Sequence, residues 1–205
     1  MRVKQGLIYA GGRGLRMGGV DKSAILLGGR PLYQWVVDRM TPMCEQLAVV
    51  APQRPEWLEA DSTIEHVFDE TIEGEPIGPA GALLAGLKLL NREDEAGWLI
   101  TAAVDAPFFP GNLVERLFAG RGDAPAVIAR SEDGLHPTFG LWNADCYVPV
   151  KTAIESGRMY ALRKLVSEVG GAQVSVAGPV QQFLNINTPD ELDRARSMVD
   201  VFGSA

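Results

Sequence analysis

The chain has 205 residues, of which 46% are hydrophobic and 22% are charged, and its formal net charge is −7. These values predict one globular domain over residues 1–205, and the acidic balance argues against nucleic acid as a partner. No apolar stretch approaches membrane-spanning length, and the apolar run near the start is too short for a signal peptide, so we expect a cytoplasmic protein with no membrane partner.

A glycine-rich basic loop follows the first strand candidate, at 7–10. Between residues 11 and 22 the loop contains five glycines and three basic side chains, which are Arg13, Arg16 and Lys22. Glycine lets the backbone come close to a ligand, so that consecutive N–H groups point at one set of oxygens. The loop therefore predicts a phosphate-binding site; the alternative is a surface loop with scattered arginines.

The sequence differs by one residue from each of two familiar phosphate-binding fingerprints. Asp21 precedes Lys22 where a P-loop requires Gly, and Met17 stands where the dinucleotide fingerprint has its last Gly. Residues 1–40 contain seven basic and two acidic side chains, so a net charge of +5 lies within a chain of net −7. A local basic patch on an acidic protein suits a small anionic ligand.

Strand candidates alternate with helical patterns along the rest of the chain. Further strands are predicted at 47–51, 66–68, 98–103, 126–129, 138–142 and 173–176. Helices are predicted at 32–40, 80–90 and 113–118, around the basic pair Arg163 and Lys164, and from an N-cap at Thr188 to about residue 201. Segments 52–55 and 73–79 are predicted loops, and 130–134 a polar turn before an edge strand. This alternation is typical of an α/β domain with a mainly parallel sheet.

The second strong signal is the strand candidate at 98–103, after which come Asp105 and the strand-stopping Pro107. A carboxylate at the carboxyl end of a central strand faces the same crevice as the first loop. Among phosphates it would hold Mg²⁺, which takes one or two carboxylates together with phosphate oxygens and water. The alternative is a turn or a helix cap.

Weaker signals come from one acid, one histidine and two amides. Asp69 follows a strand candidate, but its acidic neighbours are equally typical of a solvated loop. His136 precedes Pro137 and is either a packed residue or a ligand. Asn185 and Asn187 share one face of an extended segment, where they bind a polar ligand or serve as turn and cap residues.

The chain is poor in cysteine and histidine. Cys44 and Cys146 are far apart in sequence and form no metal-ligand pair, so we expect reduced, buried thiols. Only one histidine, His66, accompanies His136. The sequence therefore offers too few histidines for a histidine-rich metal site, and a Ser–His catalytic relay is not indicated.

Together these segments resemble the molybdenum cofactor guanylyltransferases, the MobA family. The resemblance rests on AGGRGLRMGGVDK at 10–22, GRPL at 29–32, Asp69, GP at 78–79, DAP at 105–107, HP at 136–137 and NINTP at 185–189. It implies a Rossmann-like α/β nucleotidyltransferase with helices on both faces of the sheet. The implied reaction uses Mg²⁺ to transfer GMP from GTP to the phosphate of molybdenum cofactor (molybdopterin), with release of pyrophosphate.

The resemblance also implies roles for particular residues. Those implied in nucleotide or cofactor binding are Tyr9, Ala10, Gly11, Gly12, Lys22, Asp69, Asp105, Asn185 and Asn187. Those implied as catalytic are Arg16, Lys22 and Asp105, with Asp105 as the Mg²⁺ ligand. The segment at 185–187 and the later predicted helix, which carries Arg158, Arg163 and Lys164, would lie toward the pterin. The alternative for that helix is a solvated basic face.

The sequence departs from the family at two places and leaves other functions open. Tyr9 stands where the family usually has Leu, and residues 80–82 read Ala-Gly-Ala where Leu-Ala-Gly is common. The alternatives are a sister enzyme that uses CTP, a sugar-phosphate nucleotidyltransferase, and a non-catalytic nucleotide-binding protein. The last would deliver cofactor to a molybdoenzyme or chaperone partner.

Overall fold

The computed structural model describes residues 1–11, 13–14, 20–60, 63–92, 96–157 and 160–202. A seven-stranded sheet forms its centre. The strands are β1 (Val3–Tyr9), β2 (Cys44–Val50), β3 (Ile64–Val67), β4 (Trp98–Ala103), β5 (Ala126–Ser131), β6 (Gly134–Asn143) and β7 (Ala172–Ser175). Their order across the sheet is β3-β2-β1-β4-β6-β5-β7. Neighbouring strands run parallel except that β6 is antiparallel to both β4 and β5, which confirms a mainly parallel sheet.

Helices cover both faces of this sheet, as expected. They are α1 (Leu32–Met40), α2 (Pro79–Leu90), α3 (Leu113–Gly120), α4 (Tyr147–Glu155), α5 (Leu162–Glu168), α6 (Pro189–Arg196) and α7 (Val199–Phe202). Successive residues of β1 point to opposite faces: Ile8 packs in a cluster with α1 and α3, and Leu7 in a cluster with α2, α4 and α5. Both side chains are fully buried, as in a parallel strand covered on both sides.

Short elements connect the layers. Two-residue strands pair as hairpins: Arg13–Gly14 with Val20–Asp21, Leu26–Leu27 with Arg30–Pro31, and Thr71–Ile72 with Glu75–Pro76. Short 3₁₀ turns lie at Lys22–Ala24, Thr41–Met43, Glu56–Ala60, Ala144–Cys146 and Val180–Phe183. The segment 73–79 is therefore not wholly a loop, because it contains one strand of the third hairpin and the first residue of α2.

The predicted edge strand was wrong in its position. β6 lies inside the sheet between β4 and β5, and only residues 132 and 133 form the turn before it. The pairing of β5 with β6 shifts register, because Ile128 pairs with Gly140 while Ala129 pairs with His136. Pro137 has no N–H to give to the ladder, and it is accommodated in the bulge that this shift creates.

Two helices also differ from expectation. Thr188 caps α6, since its hydroxyl accepts from the Glu191 N–H at 3.3 Å, but the helix ends at Arg196 instead of continuing to residue 201. The chain turns there because Met198 and Val199 pack against a third apolar cluster around Trp35. Helix α4 was not predicted; its proline lies in the first turn, where no helical N–H is needed.

Both thiols are free and buried, as expected, and burial raises the pKa of Cys44 and of Cys146 to about 11. Among the residues that the structure describes, no helix combines the length and the apolar character needed to cross a bilayer.

Candidate active site

The first cleft opens where the strand order reverses. β2 and β4 flank β1 on opposite sides, so the carboxyl ends of β1 and β4 border a crevice of the kind in which open α/β sheets bind ligands. The cleft has a volume of about 230 Å³. It is lined by Tyr9, Ala10, Gly11, Lys22, Val50, Gly78, Pro79, Ala82, Ala103, Val104, Asp105 and Thr138.

Backbone pairing continues to the rim of this cleft. The Tyr9 carbonyl accepts from the Val104 N–H at 3.1 Å, and the Ala10 N–H donates to the Val50 carbonyl at 3.0 Å. Gly11 is the next residue, and a Cβ there would lie 3.7 Å from Asp69 Oδ2. Burial raises the pKa of the Asp69 carboxyl and of the Tyr9 phenol. Tyr9 thus lines the cleft with its phenol buried and neutral, and its carbonyl is already paired within the sheet.

A single ammonium group joins three distant parts of the chain. Lys22 Nζ lies 3.1 Å from Asp105 Oδ2 and also donates to the Asn187 side-chain oxygen. The Lys22 and Asp105 side chains are 16% and 23% exposed. The Asp105 carbonyl accepts from the Ile186 N–H at 2.7 Å, so the 185–187 segment is held directly against the carboxyl end of β4.

The start of α2 forms another wall of the first cleft and sits tightly against the loop after β3. Gly78 adopts a φ of 62°, which favours glycine, before Pro79 begins the helix. The Glu70 N–H donates to the Gly81 carbonyl at 3.3 Å. A Cβ at Gly81 would lie under 3.0 Å from the Glu70 carbonyl oxygen, so this helix approaches the loop as closely as only glycine permits.

A second cleft of about 280 Å³ adjoins the first. Its lining residues are Ala103, Asp105, Leu135, His136, Pro137, Thr138, Phe139, Asn185 and Asn187. The His136 ring stacks on Phe183 with ring centres 4.2 Å apart, and its Nε2 lies 2.7 Å from Ser131 Oγ. Burial lowers the pKa of His136. Asp105 lines both clefts, so one carboxylate stands between two binding spaces.

The oxygen donors here fit a hard cation with few protein ligands. Within the described part of the chain, no group of three or more His, Cys, Asp or Glu side chains is placed to hold a metal. The Asp105 carboxylate and the Asn187 amide oxygen lie on either side of Lys22 Nζ. Mg²⁺ typically takes one or two protein carboxylates and completes its shell with phosphate oxygens and water.

Most of the expected site residues converge on these two clefts. Tyr9, Ala10, Gly11, Lys22 and Asp105 line the first, and Asp105, Asn185 and Asn187 line the second. Asp69 lies beside Gly11. Gly12, Arg16 and Arg158 lie outside the described residues. Arg163 and Lys164 of α5 line neither cleft, and this helix is anchored by buried Leu162, Leu165 and Val166.

Sequence reasoning missed Thr138, which lines both clefts. The strand that carries it was expected at the sheet edge, where a threonine has no reason to meet Asp105. Pro137 was the one local signal, because a proline within a strand pattern marks a bulge or an edge, and bulges commonly re-aim side chains next to active sites.

Residues 6–173 match the family model of the MobA-like NTP transferase domain. The chain belongs to this family. Among its relatives, the molybdenum cofactor guanylyltransferase of Cereibacter sphaeroides is 36% identical over 194 residues, which cover 95% of this chain and 96% of that relative. The protein of the same name from Yersinia pestis (strain Pestoides F) is 36% identical over 191 residues, 92% of each chain.

Solved structures support the same fold. Molybdopterin-guanine dinucleotide biosynthesis protein A from Archaeoglobus fulgidus superposes with a TM-score of 0.73 at 23% identity, covering 96% of this chain and 99% of that one. A 2-C-methyl-D-erythritol 4-phosphate cytidylyltransferase from Thermus thermophilus superposes with a TM-score of 0.68 at 18% identity, covering 98% and 100%. This MobA-like fold is thus shared by enzymes named for different nucleotides, and fold alone does not select the base.

Proposed function

We propose that this protein is a molybdenum cofactor guanylyltransferase, which transfers GMP from GTP to the terminal phosphate of molybdopterin and releases pyrophosphate. The curated relatives at 36% identity support this activity. A cytoplasmic location and a molybdoenzyme or chaperone that receives the product remain parts of the proposal.

The observation that carries the proposal is the position of Asp105 between two adjoining clefts. A group transfer between two substrates needs both reacting phosphates at one charged point, with little freedom to move apart. The first cleft, with Gly11 and Lys22, suits the nucleotide. The second cleft, with Asn185 and Asn187, suits the polar pterin.

In the proposed reaction, a phosphate oxygen of the pterin substrate attacks the α-phosphorus of GTP in line. The new P–O bond forms as the bond to the β-phosphate breaks, and pyrophosphate leaves with the electron pair. Lys22 offsets the charge that develops on the leaving group, and we assign Arg16 the same role. Phosphoryl transfer of this kind depends on positioning and on charge neutralisation, so no covalent intermediate with the protein is needed.

We assign the metal-binding role to Asp105, with the Asn187 amide oxygen beside it. Mg²⁺ held there would neutralise the phosphate oxygens around the reacting centre. Tyr9, Ala10 and Gly11, which line the first cleft, are assigned to the guanosine side of the site, and Asp69 lies beside Gly11. Asn185 and Asn187 are assigned to the pterin side.

The proposal is tested by pyrophosphate release from purified protein, molybdenum cofactor and Mg²⁺, with GTP and CTP in parallel. Asp105→Ala and Lys22→Ala should stay folded and lose roughly 10²-fold or more in rate, the usual cost of one preorganised electrostatic contact. Asp123→Ala and Lys151→Ala remove the same charges from exposed positions that line neither cleft and should keep full activity.

Each outcome has a distinct meaning. Release with GTP alone supports guanylyl transfer, and release with CTP alone reassigns the protein to the sister activity. Binding of nucleotide without turnover favours the cofactor-delivery function. Mild losses in both Asp105→Ala and Lys22→Ala would contradict the roles assigned to them.

A further inference from the structure

A chain of hydrogen bonds holds the turn that presents Lys22 to the first cleft. This turn, Lys22–Ala24, is a single turn of 3₁₀ helix. Asp21 Oδ1 accepts from the Ser23 N–H at 2.9 Å and from the Ser23 hydroxyl at 2.7 Å. The Ser23 oxygen in turn accepts from Trp57 Nε1 at 2.8 Å. Ser23 is 1% exposed, so water does not substitute readily for any of these partners.

The donors and acceptors in this chain balance. A serine hydroxyl has one proton and two lone pairs, and here the proton goes to Asp21 while a lone pair takes the indole N–H. An indole nitrogen is only a donor, so the direction of the chain is fixed. Removing the indole N–H leaves the Ser23 oxygen with only its bond to Asp21, so the turn loses one buried hydrogen bond, typically worth about 1 kcal/mol.

Trp57 is itself held rigidly. Its ring stacks on Tyr33 with ring centres 4.0 Å apart and planes 5° from parallel. The next residue, Leu58, is fully buried. Tyr33 belongs to α1, and Trp57 lies in the 3₁₀ turn Glu56–Ala60 that follows β2. The stacking on α1 and the buried neighbour Leu58 therefore hold the indole N–H in place, and neither contact involves the Lys22–Ala24 turn.

A one-turn helix is unstable alone because nucleation costs more than its few hydrogen bonds return. The Lys22 ammonium nevertheless meets Asp105 and Asn187 at a defined place. We propose that Trp57 is a positioning residue for Lys22, acting through the Ser23 hydroxyl. This inference rests on the proposed function of Lys22 in nucleotidyl transfer.

The test is Trp57→Phe, which keeps an aromatic ring against Tyr33 but removes the N–H donor together with part of the indole ring. We expect kcat for GTP-dependent pyrophosphate release to fall about fivefold or more, from the loss of one buried hydrogen bond, with the KM for the pterin unchanged. The matched control is Trp98→Phe. Trp98 begins β4, at the end of the strand away from Asp105, and packs against Phe118 with ring centres 5.0 Å apart.

A double-mutant cycle separates positioning from general structural support. In the Lys22→Ala background, Trp57→Phe should change the residual rate by less than about twofold, because the group that it positions is gone. An equal loss in both backgrounds would mean that Trp57 acts elsewhere, and it would overturn the proposal. Wild-type kcat in Trp57→Phe would also overturn it.

A second measurement keeps the inference separate from the proposed function. In protein labelled with ¹³Cε-lysine, the Lys22 NMR signal is identified by its absence in Lys22→Arg. Trp57→Phe should shift or broaden that signal, and Trp98→Phe should not. If the wild-type protein turns over neither GTP nor CTP, the proposed function fails. The spectrum still decides whether Trp57 positions Lys22. An unchanged Lys22 signal in Trp57→Phe would refute the positioning role.

Discussion

Gly81→Ala is a one-carbon change that should loosen the nucleotide side of the site. A Cβ at Gly81 would lie under 3.0 Å from the Glu70 carbonyl oxygen, and 3.0 Å from Ile77 Cγ1. The first neighbour is backbone and cannot rotate away. The start of α2 must therefore move off the loop after β3, and with it Gly78 and Pro79, which line the first cleft.

The size of the effect follows from three contributions. Forcing an extra carbon into a packed contact costs about 1–3 kcal/mol. Stretching the Glu70-to-Gly81 backbone hydrogen bond, already 3.3 Å long, costs up to about 1 kcal/mol more. Alanine regains about 1 kcal/mol of helix propensity over glycine. Together these give a loss of up to about 3 kcal/mol in the free energy of unfolding, toward the upper end because the close neighbour is backbone.

Urea unfolding and nucleotide kinetics measure both consequences. We expect the KM for GTP to rise about tenfold, because the displaced α2 start lines the nucleotide cleft, while the KM for the pterin stays unchanged. The matched control is Gly111→Ala, where a Cβ would meet nothing within 4 Å, and its stability should be equal or slightly higher. Wild-type stability and GTP kinetics in Gly81→Ala would refute the close-approach argument.

Two further predictions concern a half-buried histidine and a buried arginine. Burial lowers the pKa of His136 below the value of about 6.5 that the unfolded chain has, so the unfolded state binds more protons below that pH and wild-type stability should fall there. In His136→Gln, the free energy of unfolding should no longer show this fall between pH 7.5 and 5. Urea midpoints that change with pH in the same way in the variant and the wild type would contradict the prediction. Arg39, 5% exposed, donates to the carbonyls of Pro107 (at 2.8 Å) and Phe202. Arg39→Met should lower the unfolding free energy by about 2–4 kcal/mol; a loss below about 1 kcal/mol by urea titration would argue against that role.

The sequence predicted correctly those helices, strands and caps that residues close together in the chain determine. The helix at 32–40 and the strand at 98–103 have the bounds that the sequence predicts. The helix carries an i, i+3, i+4 pattern of apolar residues, and the strand is a short, mainly apolar run. The cap at Thr188 was also predictable, since the hydroxyl and the N–H that it accepts from are three residues apart. The convergence of Lys22 and Asp105 followed from the rule that carboxyl ends of parallel strands share one edge.

The features that were missed depend on pairing between distant segments. The place of β6 inside the sheet is set by β4 and β5 together, and no local pattern of residues encodes it. Thr138 reaches the site only because of that placement. The end of α6 is decided by packing of Val199 beside Gly28, far earlier in the chain, where a Cβ on the glycine would lie 3.0 Å from Val199 Cγ1. Helical periodicity in the sequence carries no information about such a contact.

The bond from Lys22 to Asn187 spans 165 positions of the chain, which has a consequence for synthesis on the ribosome. β1 lies inside the sheet between β2 and β4, yet β4 is made long after β2, and the residue that completes the Lys22 contact is made later still. Contacts of such high sequence separation form slowly and late. We therefore expect a nascent chain to acquire transfer activity only once Asn187 has emerged, so that activity reports the completion of folding and not its onset.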